Sequence, residues 1–225
     1  MQLLSVSVSK PETRMTPEGP MRTGIYKTPV TGRVRVLKRH LEGDGQADLR
    51  VHGGVEMAVY AYPAEHYPLW RRELAREDLP YGWFGENLTV QGMLEEEIRI
   101  GDAFRVGSAI LQVSQPRLPC RKLVFKMGLP DFQRRFVESG RSGFYLRVLE
   151  EGDVGAGDAI ERLDRDPVPL SVRELGDLIG ADEDRFPELL ERAGRVESLA
   201  PGWRRRVQER LARRLARRGS PGPPG

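Results

Sequence analysis

Cys120 lies in the stretch Gln115-Pro116-Arg117-Leu118-Pro119-Cys120-Arg121-Lys122, just after a strand-like run, Ile110-Leu111-Gln112-Val113. It is the only cysteine of the 225 residues, so neither an intrachain disulfide nor a multi-cysteine zinc site can be built on it. Cationic neighbours favour the thiolate, the form that attacks electrophiles and binds soft metals. A small buried hydrophobe is the competing reading, and on local sequence the two are evenly balanced. Arg117 in the same stretch carries the forked donors that hold a phosphate or carboxylate.

Three other segments hold residues able to do chemistry. Gly24-Ile25-Tyr26-Lys27-Thr28-Pro29-Val30 places Lys27 at a strand end before a turn, where a solvated lysine is the favoured local reading. Gly43-Asp44-Gly45-Gln46-Ala47-Asp48-Leu49 leads into Val51-His52-Gly53-Gly54. Gly53 and Gly54 let the backbone turn sharply or approach a ligand closely. His52 titrates near neutrality and suits a proton donor or orienting group, or equally a turn histidine bonded to the backbone. Phe84-Gly85-Glu86-Asn87-Leu88-Thr89 offers the carboxylate of Glu86 and the amide of Asn87, although Gly-Glu-Asn is also common turn chemistry. His40 and His66 stand in charged surroundings and receive no role.

The elements that must position these groups read mostly as short strands. Residues 2–9, 32–39, 57–62, 86–91, 98–100, 103–106, 108–114, 144–149 and 158–163 form the series, with Gly101-Asp102 and Gly157-Asp158 as turn signals. Such spacing predicts a mainly β fold, a closed or partly closed β-barrel over residues 1–163. Two helical patterns interrupt it. Residues 66–76 carry Leu69, Trp70 and Leu74; residues 130–139 carry Phe132, Phe136 and Val137, with Gly140 placed as a C-cap.

After the polar, proline-bearing linker at 164–169 the pattern becomes helical. Ser171-Val172-Arg173-Glu174 is a capping box opening a helix through Leu175, Leu178 and Ile179. A second helix holds Phe186, Leu189, Leu190 and Ala193, and a third sets Leu199, Trp203, Val207, Leu211 and Leu215 four apart in one stripe. A small three-helix bundle over 164–218 is expected, followed by a disordered tail over 219–225.

Composition bounds the class. Hydrophobic residues make up 39% and charged residues 31%, and no apolar run approaches a membrane helix. The N-terminus lacks the basic start and apolar segment of a secretory signal, so cytoplasmic residence is expected. From Pro201 onward there are eight arginines and one glutamate, which leaves 28 of the 36 basic and 32 of the 33 acidic residues in the first 200. The main body is mildly acidic, which argues against nucleic-acid binding there. The arginines read as the solvated face of an amphipathic helix before they read as a surface for an acidic partner. Oligomeric state is not legible.

Taken in order, the segments T-G-I-Y-K-T-P-V, G-D-G-Q-A-D-L-R-V-H-G-G, A-V-Y-A-Y-P-A-E-H-Y, F-G-E-N-L-T, I-G-D-A-F-R-V-G and Q-V-S-Q-P-R-L-P-C-R-K resemble the MOSC domain family. More narrowly they resemble its YiiM-like bacterial branch, which carries a small C-terminal "3-alpha" domain. The resemblance spans about residues 1–163, and the last three helices look like the 3-alpha segment. It implies a β-barrel module associated with the molybdenum cofactor, with Cys120 as the molybdenum ligand or sulfur-carrying residue. It also implies reduction of N-hydroxylated substrates such as 6-N-hydroxylaminopurine, a detoxification. Lys27 or His52 would supply a proton to the leaving oxygen. Arg117, Asn87, Gly53, Gly54 and Glu86 would lie at the cofactor site, with Asp48 and Glu86 orienting the basic groups. Where the family commonly has lysine this chain has Met57, which puts substrate preference in doubt.

Three functions stand beside one another at this point. The first is a molybdenum-cofactor-dependent reductase of N-hydroxylated small molecules. The second is a non-catalytic carrier of the cofactor or of a persulfide on Cys120. The third is a scaffold whose basic last helix docks a partner. No cysteine set for an iron–sulfur cluster and no G-x-G-x-x-G after a strand is present, so the reductase reading implies a separate electron-donating reductase.

Overall fold

β1 (Gln2–Val8) shows how locally the sequence sets the core. Leu3 and Val6 are both fully buried although an ideal strand would point them to opposite faces. A register shift between Leu3 and Ser5 in the pairing with a later strand brings both onto the core side. The computed structural model describes residues 1–47, 53–178 and 185–219. The expected terminal tail therefore lies outside the described residues except for Gly219, which ends the last helix.

The next elements are β2 (Glu12–Thr16), β3 (Gly19–Thr23), β4 (Thr28–Pro29), β5 (Arg33–Leu37) and β6 (His40–Leu41). A 3-10 turn (Val55–Met57) precedes β7 (Val59–Pro63), α1 (His66–Glu73), β8 (Leu88–Gln91), β9 (Ala103–Val106) and β10 (Ala109–Pro116). Then come α2 (Arg121–Met127), α3 (Phe132–Ser139), β11 (Phe144–Glu150), β12 (Gly152–Gly155) and β13 (Ile160–Asp164). α4 (Val172–Asp177), α5 (Pro187–Ala193) and α6 (Pro201–Gly219) complete the chain. Eight strands join in one mixed sheet, in the order β13-β9-β10-β11-β7-β8-β1-β4. Its β7–β8 pair is parallel and the rest antiparallel, because α1 and the following loop carry the chain back across between them. β12-β5-β6 and the hairpin β2-β3 are separate small sheets.

The expected barrel is not closed. A closed barrel needs its first and last strands in a continuous ladder. Here β1 meets the segment before β13 in one isolated bridge, Gln2 to Ala159, and β4 pairs with the far end of β1. The predicted strand at 98–100 is likewise reduced to a bridge between Arg99 and Ser171, flanked by main-chain bonds from Ile100 N–H to Leu170 O and from Val172 N–H to Ile98 O.

Two cores are packed around the main sheet. The larger joins Leu3, Val59, Leu88, Leu111 and Leu146 from the strands to Leu175, Leu190, Trp203 and Val207 from α4–α6. α4 lies against β10, α5 packs on α6, and the buried residues of all three belong to one apolar cluster with those of the strands. The stripe on α6 fades along its length, from Trp203 and Val207, which are buried, to Leu215, which is 69% exposed. The smaller core is aromatic, with Tyr62, Trp70, Phe84, Phe132 and Phe136 stacked or tilted on one another beneath the loops that carry the candidate chemistry.

α4 opens as its capping box requires. Glu174 N–H donates to Ser171 Oγ at 3.1 Å, and Ser171 N–H donates to Glu174 Oε2 at 2.8 Å. Ser171→Ala is expected to lower stability by about 1 kcal/mol in urea unfolding, and an unchanged midpoint would show that the box contributes nothing.

Candidate functional site

Four loops that are far apart in sequence converge on one cleft. Lys27 comes from the segment after β3, Gly53 from the loop before β7, Asn87 from the entrance to β8, and Arg117 and Cys120 from the turn between β10 and α2. Close backbone approach makes this possible. A Cβ added to Gly24 would stand 2.6 Å from the carbonyl oxygen of Gly45, so only glycine lets these two loops touch. Gly85 has φ 85° and is pressed against Ile25, which fixes the turn presenting Asn87.

Lys27 overturns the solvated reading. Its side chain is 8% exposed and its ammonium is paired with Asp44, whose side chain is 3% exposed. Burial draws the Lys27 pKa below the ordinary lysine value, and the Asp44 charge opposes this in part. Asp44 also accepts the Ser9 N–H and the Asn87 Nδ2, both at 2.9 Å. Asn87 is held in turn by the Tyr60 N–H, which donates to its Oδ1 at 3.1 Å. The result is a fixed chain, Tyr60 main chain to Asn87 to Asp44 to Lys27, that holds the ammonium in the cleft wall.

Cys120 is half-buried, occupies the N-cap position of α2, and lines the same cleft. Arg117 is buried, with its guanidinium carbon 5.4 Å from the centre of the Tyr60 ring and 5.4 Å from that of Phe136. Its charge acts on Tyr60, Cys120 and Tyr145. Among the described residues its Nη1 is buried with no hydrogen-bond partner.

The remaining expected residues fall elsewhere. Glu86 is fully buried behind the cleft and spends Oε1 on Tyr67 Oη, the Gly82 N–H at 2.8 Å and Thr89 Oγ1 at 3.0 Å. Its charge acts on Lys27, but the hydrogen bond that orients the ammonium is made by Asp44. Gly54 donates its N–H to Gln46 Oε1 at 3.3 Å, and only Gly53 of the pair reaches the cleft. His52 and Asp48 lie outside the described residues. Met57, at the position where lysine was expected, lines the cleft.

Asp44, Lys122, Tyr60 and Tyr145 also line the cleft and were not singled out by the sequence. For Asp44 the only available signal was its place in Gly43-Asp44-Gly45, which also reads as a turn. Lys126 is a further omission. It donates to Ile25 O at 3.0 Å and Gly82 O at 3.3 Å, with its ammonium 5.2 Å from the Tyr26 ring centre and 5.1 Å from that of Trp83.

Burial pushes Lys126 down to about 8, against the opposing charge of Glu86. In the unfolded chain it titrates near about 10.4. Between these values the unfolded chain holds a proton that the folded protein has lost, so stability rises with pH. Tyr60, Tyr62 and Tyr145 are held above their ordinary pKa by burial. Above about pH 10 the unfolded chain ionises these tyrosines first, and stability falls again. Urea midpoints are expected to peak near about pH 10, with a shallower rising limb in Lys126→Met. A steady fall from pH 7 upward would contradict this.

With this fold and cleft in view, the comparison with known proteins is direct. The MOSC domain model matches residues 48–161, and the chain belongs to the MOSC domain family. It is similar to YflK of Bacillus subtilis, with 41% identity over 213 residues covering 95% of this chain and 96% of that one. Its structure is similar to the crystal structure of YiiM from Geobacillus stearothermophilus, with a TM-score of 0.78 and 34% identity over 93% of this chain and 98% of the other. A protein of Gibberella moniliformis named a reductase is 39% identical over 154 residues, which are 67% of this chain and 27% of that protein. These likenesses place the chain in the YiiM-like branch. Among the described residues no helix is long and apolar enough to cross a membrane.

Proposed function

We propose that this protein is a molybdenum-cofactor-dependent reductase of N-hydroxylated compounds such as 6-N-hydroxylaminopurine. The observation that carries the reading is the convergence of a thiol, a buried ammonium, a carboxamide and a guanidinium on one cleft. The donor set suits the cofactor: a soft sulfur for molybdenum, and the Lys122 ammonium for an anionic pterin phosphate. Among the described residues no three His, Cys, Asp or Glu side chains gather as a metal site, so the protein's own ligand would be Cys120, with the organic cofactor completing the set.

When bound, the cofactor would supply the two electrons that cleave an N–O bond. The chain's residues then have separable tasks. Cys120 would hold the metal through sulfur. Lys27, held by Asp44 and with its pKa lowered by burial, delivers a proton to the departing hydroxyl oxygen so that water rather than hydroxide leaves. Asn87 keeps Asp44 in place. Arg117 keeps a positive charge behind the thiol, and the rings of buried Tyr60 and partly buried Tyr145 form an apolar flank that keeps water from the reacting bond. The electrons would come from a separate donor protein, and the second proton, which completes the amine nitrogen, from solvent. The name of the Gibberella moniliformis relative supports a reductase role.

The test is to produce the protein in cells that make the cofactor, measure molybdenum and released pterin, and assay conversion of 6-N-hydroxylaminopurine to adenine with a chemical electron donor. Bound molybdenum and pterin with turnover support the proposal. Bound cofactor without turnover would instead favour a carrier, and absence of both molybdenum and pterin would overturn either reading.

A further inference from the structure

A second cavity opens on the other side of the Arg117 loop, between α3, α4 and the residues leading to Cys120. Its walls are apolar, formed by Leu118, Pro119, Phe136 and Val137, and two guanidinium groups, Arg117 and Arg173, border it. Arg117 belongs to both cavities, with the Tyr60 ring on the cleft side and the Phe136 ring on this one. Its buried Nη1 without a hydrogen-bond partner is an expensive arrangement, since a desolvated charged donor left unpaired costs more than a neutral one. Arg173 is held by Asp177 at 3.1 Å and by the Ser139 carbonyl at 3.2 Å. The two arginines against one carboxylate leave the cavity with a net positive charge.

The geometry points to a binding site, adjoining the cleft through Arg117, for a small molecule with a flat apolar body and a single carboxylate. The apolar walls would take the body, and the guanidinium groups would take the anion, with Nη1 of Arg117, whose guanidinium is already bonded to Tyr145, gaining an acceptor. The site does not depend on the reductase reading.

Benzoate is a suitable probe, titrated calorimetrically into the full chain, with benzyl alcohol as the uncharged counterpart. Saturable benzoate binding is expected, with benzyl alcohol at least about tenfold weaker because it lacks the charge. A Cβ at Gly176, which borders the cavity, meets no atom within 4 Å, so Gly176→Phe should fold and fill the space. That variant and Arg173→Gln should each weaken benzoate binding at least about tenfold, while Lys122→Ala in the cleft leaves it unchanged. No saturable binding would overturn the proposal. So would equal affinity for benzyl alcohol, unchanged binding in Gly176→Phe, or loss confined to Lys122→Ala.

Discussion

Cys120→Ser is expected to reduce turnover of an N-hydroxylated substrate by at least about a hundredfold while leaving the fold intact, because a hydroxyl is a poor ligand for a soft metal. The separation of effects follows from the position. Cys120 has φ −128° and ψ 165° at the N-cap of α2, and its contribution to the helix start is made by the main chain, whose carbonyl accepts the N–H of Leu123 at 2.9 Å and of Val124 at 3.2 Å. Serine keeps those bonds and is a favoured N-cap residue, so stability should shift by no more than about 0.5 kcal/mol. Molybdenum content should fall with activity. Equal turnover in the two proteins would remove sulfur ligation from the mechanism.

Lys27→Met should cost about 3–5 kcal/mol of stability, because it leaves the Asp44 carboxylate buried without its cation. The double variant Lys27→Met, Asp44→Asn should recover most of that loss, since replacing both members of a buried pair is often close to neutral. Activity should not return with stability. Without a proton donor at this position turnover stays down by about 100-fold or more, with normal cofactor content. Chemical denaturation and steady-state kinetics on all three proteins separate the two effects. A double variant as active as the parent would show that the pair only supports the fold. A single variant as stable as the parent would show that the pair is not buried in solution.

Helical capping and most strands were legible because their causes are local. Ser171 and Glu174 lie three apart, and the alternation in β9 and β11 needs no knowledge of the rest of the chain. The hairpin β2-β3 and helix α2 escaped notice for a related reason. The hairpin is mostly exposed and polar, so it shows little apolar alternation. The first residues of α2 read as a cationic cluster. Full closure of the barrel was not legible because short strands at even spacing do not specify whether the first and last of them ladder together.

Lys27 shows the limit most clearly. Its local surroundings describe an exposed lysine, and the partner that makes it a buried one, Asp44, is 17 residues away in a different loop. Glu86 shows the converse, since an acid next to Asn87 in sequence does not line the cleft and gives its Oε1 to Tyr67, Gly82 and Thr89.

By itself the sequence determined the repertoire: one thiol in a basic setting, a few acids, amides and glycines at defined places, and membership in a family with a known general shape. It did so because residue type and near-neighbour spacing are properties of the chain. Only the tertiary structure decided which groups meet, which are buried and which are neutralised. Those outcomes depend on desolvation and charge pairing between loops that are remote in sequence, and neither is present until the chain has folded.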